Sequence, residues 1–106
     1  VLMPAAARRT ADLQMIDRIS RDRIAADIRH LATAWPTRHT FSRHHPAVAR
    51  WCADRLFRIG LKPTLVPYET PRPGRVARCL NVVAEIPAAR KPARTTLVCA
   101  HFDSRQ

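Results

Sequence analysis

The sequence predicts an α/β fold in which N-terminal helices are followed by strands of a mixed sheet. Two segments with a helical apolar period end at Pro36 and at Gly60, and the apolar runs after Gly60 are short and bounded by proline, as strands are. With 106 residues and 46% hydrophobic content, the chain fits one globular domain. We expect a loose N-terminal arm over residues 1–15 and a single domain over residues 16–106.

The first predicted helix follows Ser20, a good N-cap residue, and has Asp22 in its first turn, where a negative charge is favourable. Pro36 ends it, because the residue before proline avoids helical geometry. Its expected core face consists of Ile24, Ile28 and Leu31.

The second predicted helix begins near Pro46, which suits the first helical position, and ends at Gly60. Its expected buried stripe is Val48, Cys52, Leu56 and Ile59. The loop at residues 35–45 separates the two helices and holds three of the five histidines. Their spacing, at His39, His44 and His45, matches no known ligand pattern, which argues against a metal site in this loop.

Three strands are predicted after the helices. Residues 64–70 form an edge strand, because Pro67 lacks an N–H group, and the turn at residues 70–75 leads into a second strand at residues 80–86. These two strands are expected to form a hairpin. The third strand is the apolar run at residues 95–100.

The third strand places His101 and Asp103 at its carboxyl end, the edge at which ligands bind in α/β sheets. A metal-binding imidazole needs an acceptor on its second nitrogen, and Asp103 is close enough in sequence to be that acceptor. A single His near a single Asp also occurs for structural reasons. The strand, placed after a boundary at Pro92, needs cover on both faces, yet only six residues follow it. We therefore expect the chain to be a fragment of a domain.

Five sequence pieces occur in an informative order over residues 16–106. They are Thr37-Arg38-His39, Ala49-x-Trp51-x-x-x-Arg55-Leu56, Ile59-Gly60-Leu61, Asn81-Val82-Val83-Ala84-Glu85-Ile86-Pro87 and Ala100-His101-Phe102-Asp103-Ser104. In this order they resemble the N-terminal part of the zinc-dependent exopeptidases of the M28 family, which include aminopeptidases and carboxypeptidases.

The resemblance implies an incomplete zinc-exopeptidase domain of the phosphorylase/hydrolase-like fold, aminopeptidase-like, with two zinc ions in the complete enzyme. Such enzymes hydrolyse terminal peptide bonds of a peptide substrate with metal-activated water. By the resemblance His101 is a zinc ligand, Asp103 belongs to the catalytic site as the support of His101, and Arg38 is a structural anchor. The other metal ligands and the general base have no counterpart in the sequence, so we expect the isolated chain to be inactive.

The net charge of +11, from 17 Arg and 2 Lys against 8 acidic residues, favours acidic partners. The arginines are spread from Arg8 to Arg105, however, and neither zinc-finger spacing nor a glycine-rich phosphate loop accompanies them. This argues against nucleic-acid binding as the function. A small basic nucleic-acid-binding module and a non-functional remnant of a truncated gene remain the alternatives.

The three cysteines are widely spaced and contain no C-x-x-C pair, so neither a disulfide framework nor a structural zinc site is indicated. Cys52 and Cys99 lie in apolar patterns and are expected to be buried. The sequence has no run of 18 apolar residues that would span a membrane. It has no clear signal peptide, and the localisation is left open, although related enzymes are often exported.

Overall fold

The computed structural model describes residues 4–91 and 94–105, which form three helices followed by two antiparallel strands. The elements are α1 (Ala5–Asp17), α2 (Arg21–Ala34), α3 (His45–Arg58), β1 (Thr64–Arg72) and β2 (Arg75–Val83). The chain divides into two compact units, Val1–Ala34 and Trp35–Gln106. No helix within residues 4–91 and 94–105 has the length and apolar character needed to cross a bilayer.

The first unit contains α1 and α2. Helix α1 lies where we expected a loose arm, because its Ala, Arg, Leu, Gln and Met residues favour a helix even without an apolar period. The predicted start of α2 is confirmed, since the Ser20 hydroxyl accepts a hydrogen bond from the Arg23 N–H at 3.2 Å. Its predicted core face is wrong, because Ile24 is 49% exposed and Ile28 is 61% exposed.

Helix α3 begins at His45, one residue before the predicted start, and ends at Arg58 with Ile59 as its C-cap, so that Gly60 lies just past the helix end as predicted. Gly60 has φ of 92°, a left-handed conformation that costs glycine little. Its N–H donates to the Phe57 carbonyl at 3.0 Å, and the Leu61 N–H donates to the Leu56 carbonyl at 3.2 Å. This pair of bonds is the Schellman motif, which satisfies two of the last carbonyls of the helix.

The predicted hairpin is confirmed, with β1 and β2 paired antiparallel so that Thr64 lies opposite Val83. Its turn is shorter than the predicted one at residues 70–75, and its second strand is Arg75–Val83 rather than residues 80–86, because the ladder continues up to Arg72 and Arg75. Pro73 and Gly74 form the connection, and Gly74 has φ of 76°, as the third position of a type II turn requires. Pro67 lies opposite Leu80, whose N–H donates away from the pair to His45. Because this pair is not a hydrogen-bonded one, the missing N–H of Pro67 breaks no bond of the ladder.

The core lies where α3 packs against the hairpin. Val48 and Ala49 of α3 are fully buried, and they share the core with Cys79 of β2 and the imidazole of His45. The predicted stripe of α3 is buried at its beginning only, since Ile59 at its other end is 61% exposed.

The predicted third strand is not found. Residues 95–100 form neither helix nor strand, Leu97 and Val98 are 85% and 88% exposed, and Cys99 is exposed rather than buried. An apolar run becomes a buried strand only beside partner strands, and the sheet within the described residues consists of β1 and β2 alone. The expected mixed sheet is therefore an antiparallel hairpin in this part of the chain, and the Pro92 boundary lies outside the described residues.

Candidate functional site

The loop between α2 and α3 is organised by its own hydrogen bonds. The Ser42 hydroxyl donates to the Thr37 carbonyl at 3.0 Å and accepts from the His44 N–H at 3.1 Å. The Ser42 N–H donates to the His39 carbonyl at 2.8 Å. Two successive turns therefore hold the loop against the start of α3, which gives it a fixed shape from which side chains can reach other segments.

Arg38 joins this loop to the segment that carries His101 and Asp103. Its Nε donates to the Phe102 carbonyl at 2.8 Å, and its backbone N–H donates to the Ser104 hydroxyl at 3.1 Å. Its Nη1 donates to the Trp35 carbonyl at 3.2 Å within the same loop. Arg38 is thus the structural anchor that the resemblance implied, and it fixes the residues on both sides of Asp103.

His101 and Asp103 interact directly. The Nδ1 atom of His101 lies 2.9 Å from Oδ1 of Asp103. A carboxylate can only accept, so the proton of this bond is on Nδ1 and the lone pair of a neutral imidazole is on Nε2. The side chain of His101 is 95% exposed while that of Asp103 is 32% exposed. The pair therefore presents Nε2 of His101 to solvent in a fixed direction. Metal-binding histidines commonly have such a carboxylate bonded to their other ring nitrogen.

A complete metal site is not assembled by these residues. A catalytic zinc takes three protein ligands, and the described part of the chain brings no three His, Cys, Asp or Glu side chains together in that way. His39 and His44 of the loop make other contacts. Nδ1 of His39 accepts a hydrogen bond from the Phe41 N–H, and Nε2 of His44 lies 3.5 Å from Nε of Arg43. The residues fit one ligand of a zinc site and its supporting carboxylate.

His45 is a residue whose role the sequence did not reveal. It is 2% exposed, its Nε2 accepts from the Leu80 N–H at 3.1 Å, and its ring packs on that of Phe102 with 5.1 Å between centroids. Its Nδ1 has no hydrogen-bond partner within the described residues. His45 thereby joins α3, β2 and the segment containing His101. The sequence feature that could have indicated this role is its position directly before Pro46, at a helix start.

Tyr68 and Cys79 lie opposite each other in the hairpin. Burial raises the pKa of the Tyr68 hydroxyl, as do the neighbouring Cys79 and the negative charge of Asp103, while a hydrogen bond with Thr40 lowers it. The Cys79 thiol also contacts the Thr40 carbonyl at 3.6 Å. Asp103 is therefore close enough to the hairpin for its charge to act on Tyr68, although the two residues are far apart in sequence.

Compared with family models, with curated proteins and with solved structures, the chain matches none.

Proposed function

We propose that this chain forms the N-terminal part of a zinc-dependent exopeptidase domain of the M28 type, with a mixed sheet and a two-zinc site in the complete enzyme. The observation that carries the proposal is the bond between His101 Nδ1 and Asp103 Oδ1 at 2.9 Å, in a segment fixed by Arg38. An oriented imidazole with a solvent-facing Nε2 has the form of a metal ligand.

In this proposal three residues of the chain have distinct tasks. His101 holds a zinc ion through Nε2, and Asp103 fixes the tautomer and the direction of the ring. Arg38 holds the Phe102 carbonyl and the Ser104 hydroxyl, so that the pair keeps its position against the loop. When bound, zinc polarises the carbonyl of the scissile peptide bond.

The test is the hydrolysis, by the protein that contains this chain, of either aminoacyl p-nitroanilides or N-acyl dipeptides, which report aminopeptidase and carboxypeptidase activity respectively, with zinc added or chelated. We expect turnover that requires zinc and is lost with His101→Ala. Asp103→Asn should lower zinc affinity or turnover by about 10- to 100-fold, because it removes the acceptor behind the ligand. His30→Ala, on the exposed surface of α2, is the matched control and should leave turnover unchanged. Zinc-independent turnover, or full turnover with His101→Ala, would contradict the proposal.

A further inference from the structure

The tip of the hairpin holds two arginines in an arrangement that the stability of the hairpin does not explain. Arg72 and Arg75 lie directly opposite each other, next to the turn at Pro73 and Gly74. Like charges directly opposite in an antiparallel pair destabilise it. Neither guanidinium forms an ion pair with a carboxylate in the described parts of the chain, whereas Arg78 lies 3.8 Å from Glu69.

Phe41 of the histidine-containing loop holds both guanidinium groups. The guanidinium carbons of Arg72 and Arg75 are each 5.0 Å from the centroid of its ring, so they lie no more than about 10 Å apart. Nη2 of Arg75 also approaches the Phe41 carbonyl at 3.5 Å. A ring face attracts a cation within this distance. The two charges are therefore held in place before any ligand arrives, which lowers the entropic cost of binding an anion.

Arg72 lines a depression next to Ser104, and Arg75 lies over Phe41, which lines the depression as well. The depression has a volume of about 260 Å³ and is lined by His39, Thr40, Phe41, Arg72 and Ser104. Ser104 follows Asp103 in the chain and is fixed by Arg38. Strand geometry puts Arg72 and Arg75 on the same face of the hairpin as Tyr68 and Cys79, and Arg78 on the opposite face.

We propose that Arg72 and Arg75, held on Phe41, form a subsite for the free C-terminal carboxylate of a peptide. The inference rests on the proposed exopeptidase function, and it makes the substrate a peptide acid, so that the enzyme removes C-terminal residues or cleaves dipeptides. The planar fork of arginine matches a carboxylate with two parallel hydrogen bonds. The size of the depression suits one terminal residue. Its phenyl ring, that of Phe41, already contacts two guanidinium groups, which is unfavourable for the base stacking that single-stranded nucleic acid needs.

The test is calorimetric titration of the protein that contains this chain with an N-acetyl dipeptide and with the same dipeptide as its C-terminal amide, without added zinc. We expect the acid to bind at least about tenfold more tightly than the amide, equivalent to one charge-assisted contact of about 1.4 kcal/mol. The variant Arg72→Gln/Arg75→Gln should abolish this difference. The variant Arg50→Gln/Arg78→Gln removes the same charge at exposed positions away from the depression and should preserve it.

A lysine variant and two competing ligands complete the test. Arg72→Lys/Arg75→Lys retains the charge without the fork, and it should weaken discrimination between acid and amide even if the glutamine variant does not fold. Equal binding of acid and amide, or unchanged discrimination in either variant, overturns the subsite. Tighter binding of inorganic phosphate or of a single-stranded oligonucleotide than of the peptide acid overturns it as well.

The two proposals fail in different ways. If the acid binds through Arg72 and Arg75 but zinc-loaded protein cleaves no terminal peptide bond, the exopeptidase function is refuted while the carboxylate subsite stands. If zinc-dependent hydrolysis requires His101 but peptide amides are cleaved as well as acids, the subsite is refuted and the exopeptidase function stands.

Discussion

Helix α3 with its hairpin and the segment at residues 95–105 are built in different ways. In the first region, apolar side chains such as Val48 and Cys79 are buried between regular elements. In the second, Leu97 and Val98 are exposed, and residues 102–104 are held by Arg38 and by the ring of His45. The comparison teaches that an apolar run alone does not bury a segment, and that a few charged and polar contacts can fix its end.

The largest effect is expected from removal of Arg38. Arg38→Ala deletes the bonds to the Phe102 and Trp35 carbonyls, and loss of a charged hydrogen-bonding group should cost about 1.5–3 kcal/mol of unfolding free energy. Residues 101–105 should become mobile, with NMR order parameters below about 0.6. Arg58→Ala removes an exposed ion pair with Asp54 and should cost less than about 0.5 kcal/mol. Equal costs for the two variants would show that Arg38 is no anchor.

A pair of identical substitutions compares the two regions directly. Val48→Ala leaves a cavity in the core and should lower the unfolding free energy by about 2 kcal/mol. Val98→Ala alters a side chain that is 88% exposed, and its effect should lie within about 0.5 kcal/mol of zero. Urea denaturation of both variants measures the difference, and a cost for Val98→Ala as large as that for Val48→Ala would mean that residues 95–100 are buried in the folded protein.

The junction between the two regions is His45, and its acceptor can be removed or replaced. His45→Phe leaves the Leu80 N–H without a partner and should cost about 1–3 kcal/mol. His45→Gln offers an amide oxygen in a position similar to Nε2 and should recover part of this loss. Thermal denaturation distinguishes the variants, and a phenylalanine variant at least as stable as the parent would refute the role of this hydrogen bond.

Local backbone geometry gives a smaller effect, confined to the first region. Gly60→Ala forces a β-carbon into a left-handed conformation and should cost about 1 kcal/mol, although no atom lies within 4 Å of the new methyl group. Gly74→Ala should cost a similar amount of unfolding free energy, because Gly74 also has a positive φ. Chemical denaturation gives both values, and a gain in stability at either glycine would contradict the described φ angles.

The smallest effect is the pH dependence from Cys52. Burial raises the pKa of its thiol, and the charge of Arg38 partly offsets this. The folded chain thus holds the thiol proton more firmly than the unfolded chain. The resulting contribution to stability is complete below the ordinary thiol pKa and is lost as pH rises through the raised pKa of the folded chain. Stability should therefore decline above about pH 8.5, and Cys52→Ala should flatten the decline. An unchanged slope would show that the decline has another source.

The sequence predicted the features that depend on neighbouring residues. Ser20 as a helix cap, Gly60 just past a helix end and a turn within residues 70–75 each follow from the conformational preferences of a few residues, and each is observed. Helix α1 was missed because its helical propensity is not accompanied by an apolar stripe. The run at residues 95–100 was misjudged because hydrophobicity indicates a tendency to be buried but names no partner.

The site was predictable only where it depends on residues that are close in the sequence. His101 and Asp103 are two residues apart, and their contact follows from local spacing. The bonds from Arg38 to residues 102–104 join positions more than 60 residues apart, and only the resemblance indicated an anchor there. The pairing of Arg72 with Arg75 and their joint contact with Phe41 required the structure, because the sequence placed both arginines in a turn at residues 70–75.

We propose that His101, supported by Asp103 and fixed through Arg38, is a metal ligand. Anomalous X-ray scattering from crystals of the zinc-loaded protein that contains this chain tests it most directly. We predict a zinc ion about 2.0–2.1 Å from Nε2 of His101, with Nδ1 still bonded to Asp103. A zinc ion bound elsewhere, with His101 outside its ligand shell, would contradict the account.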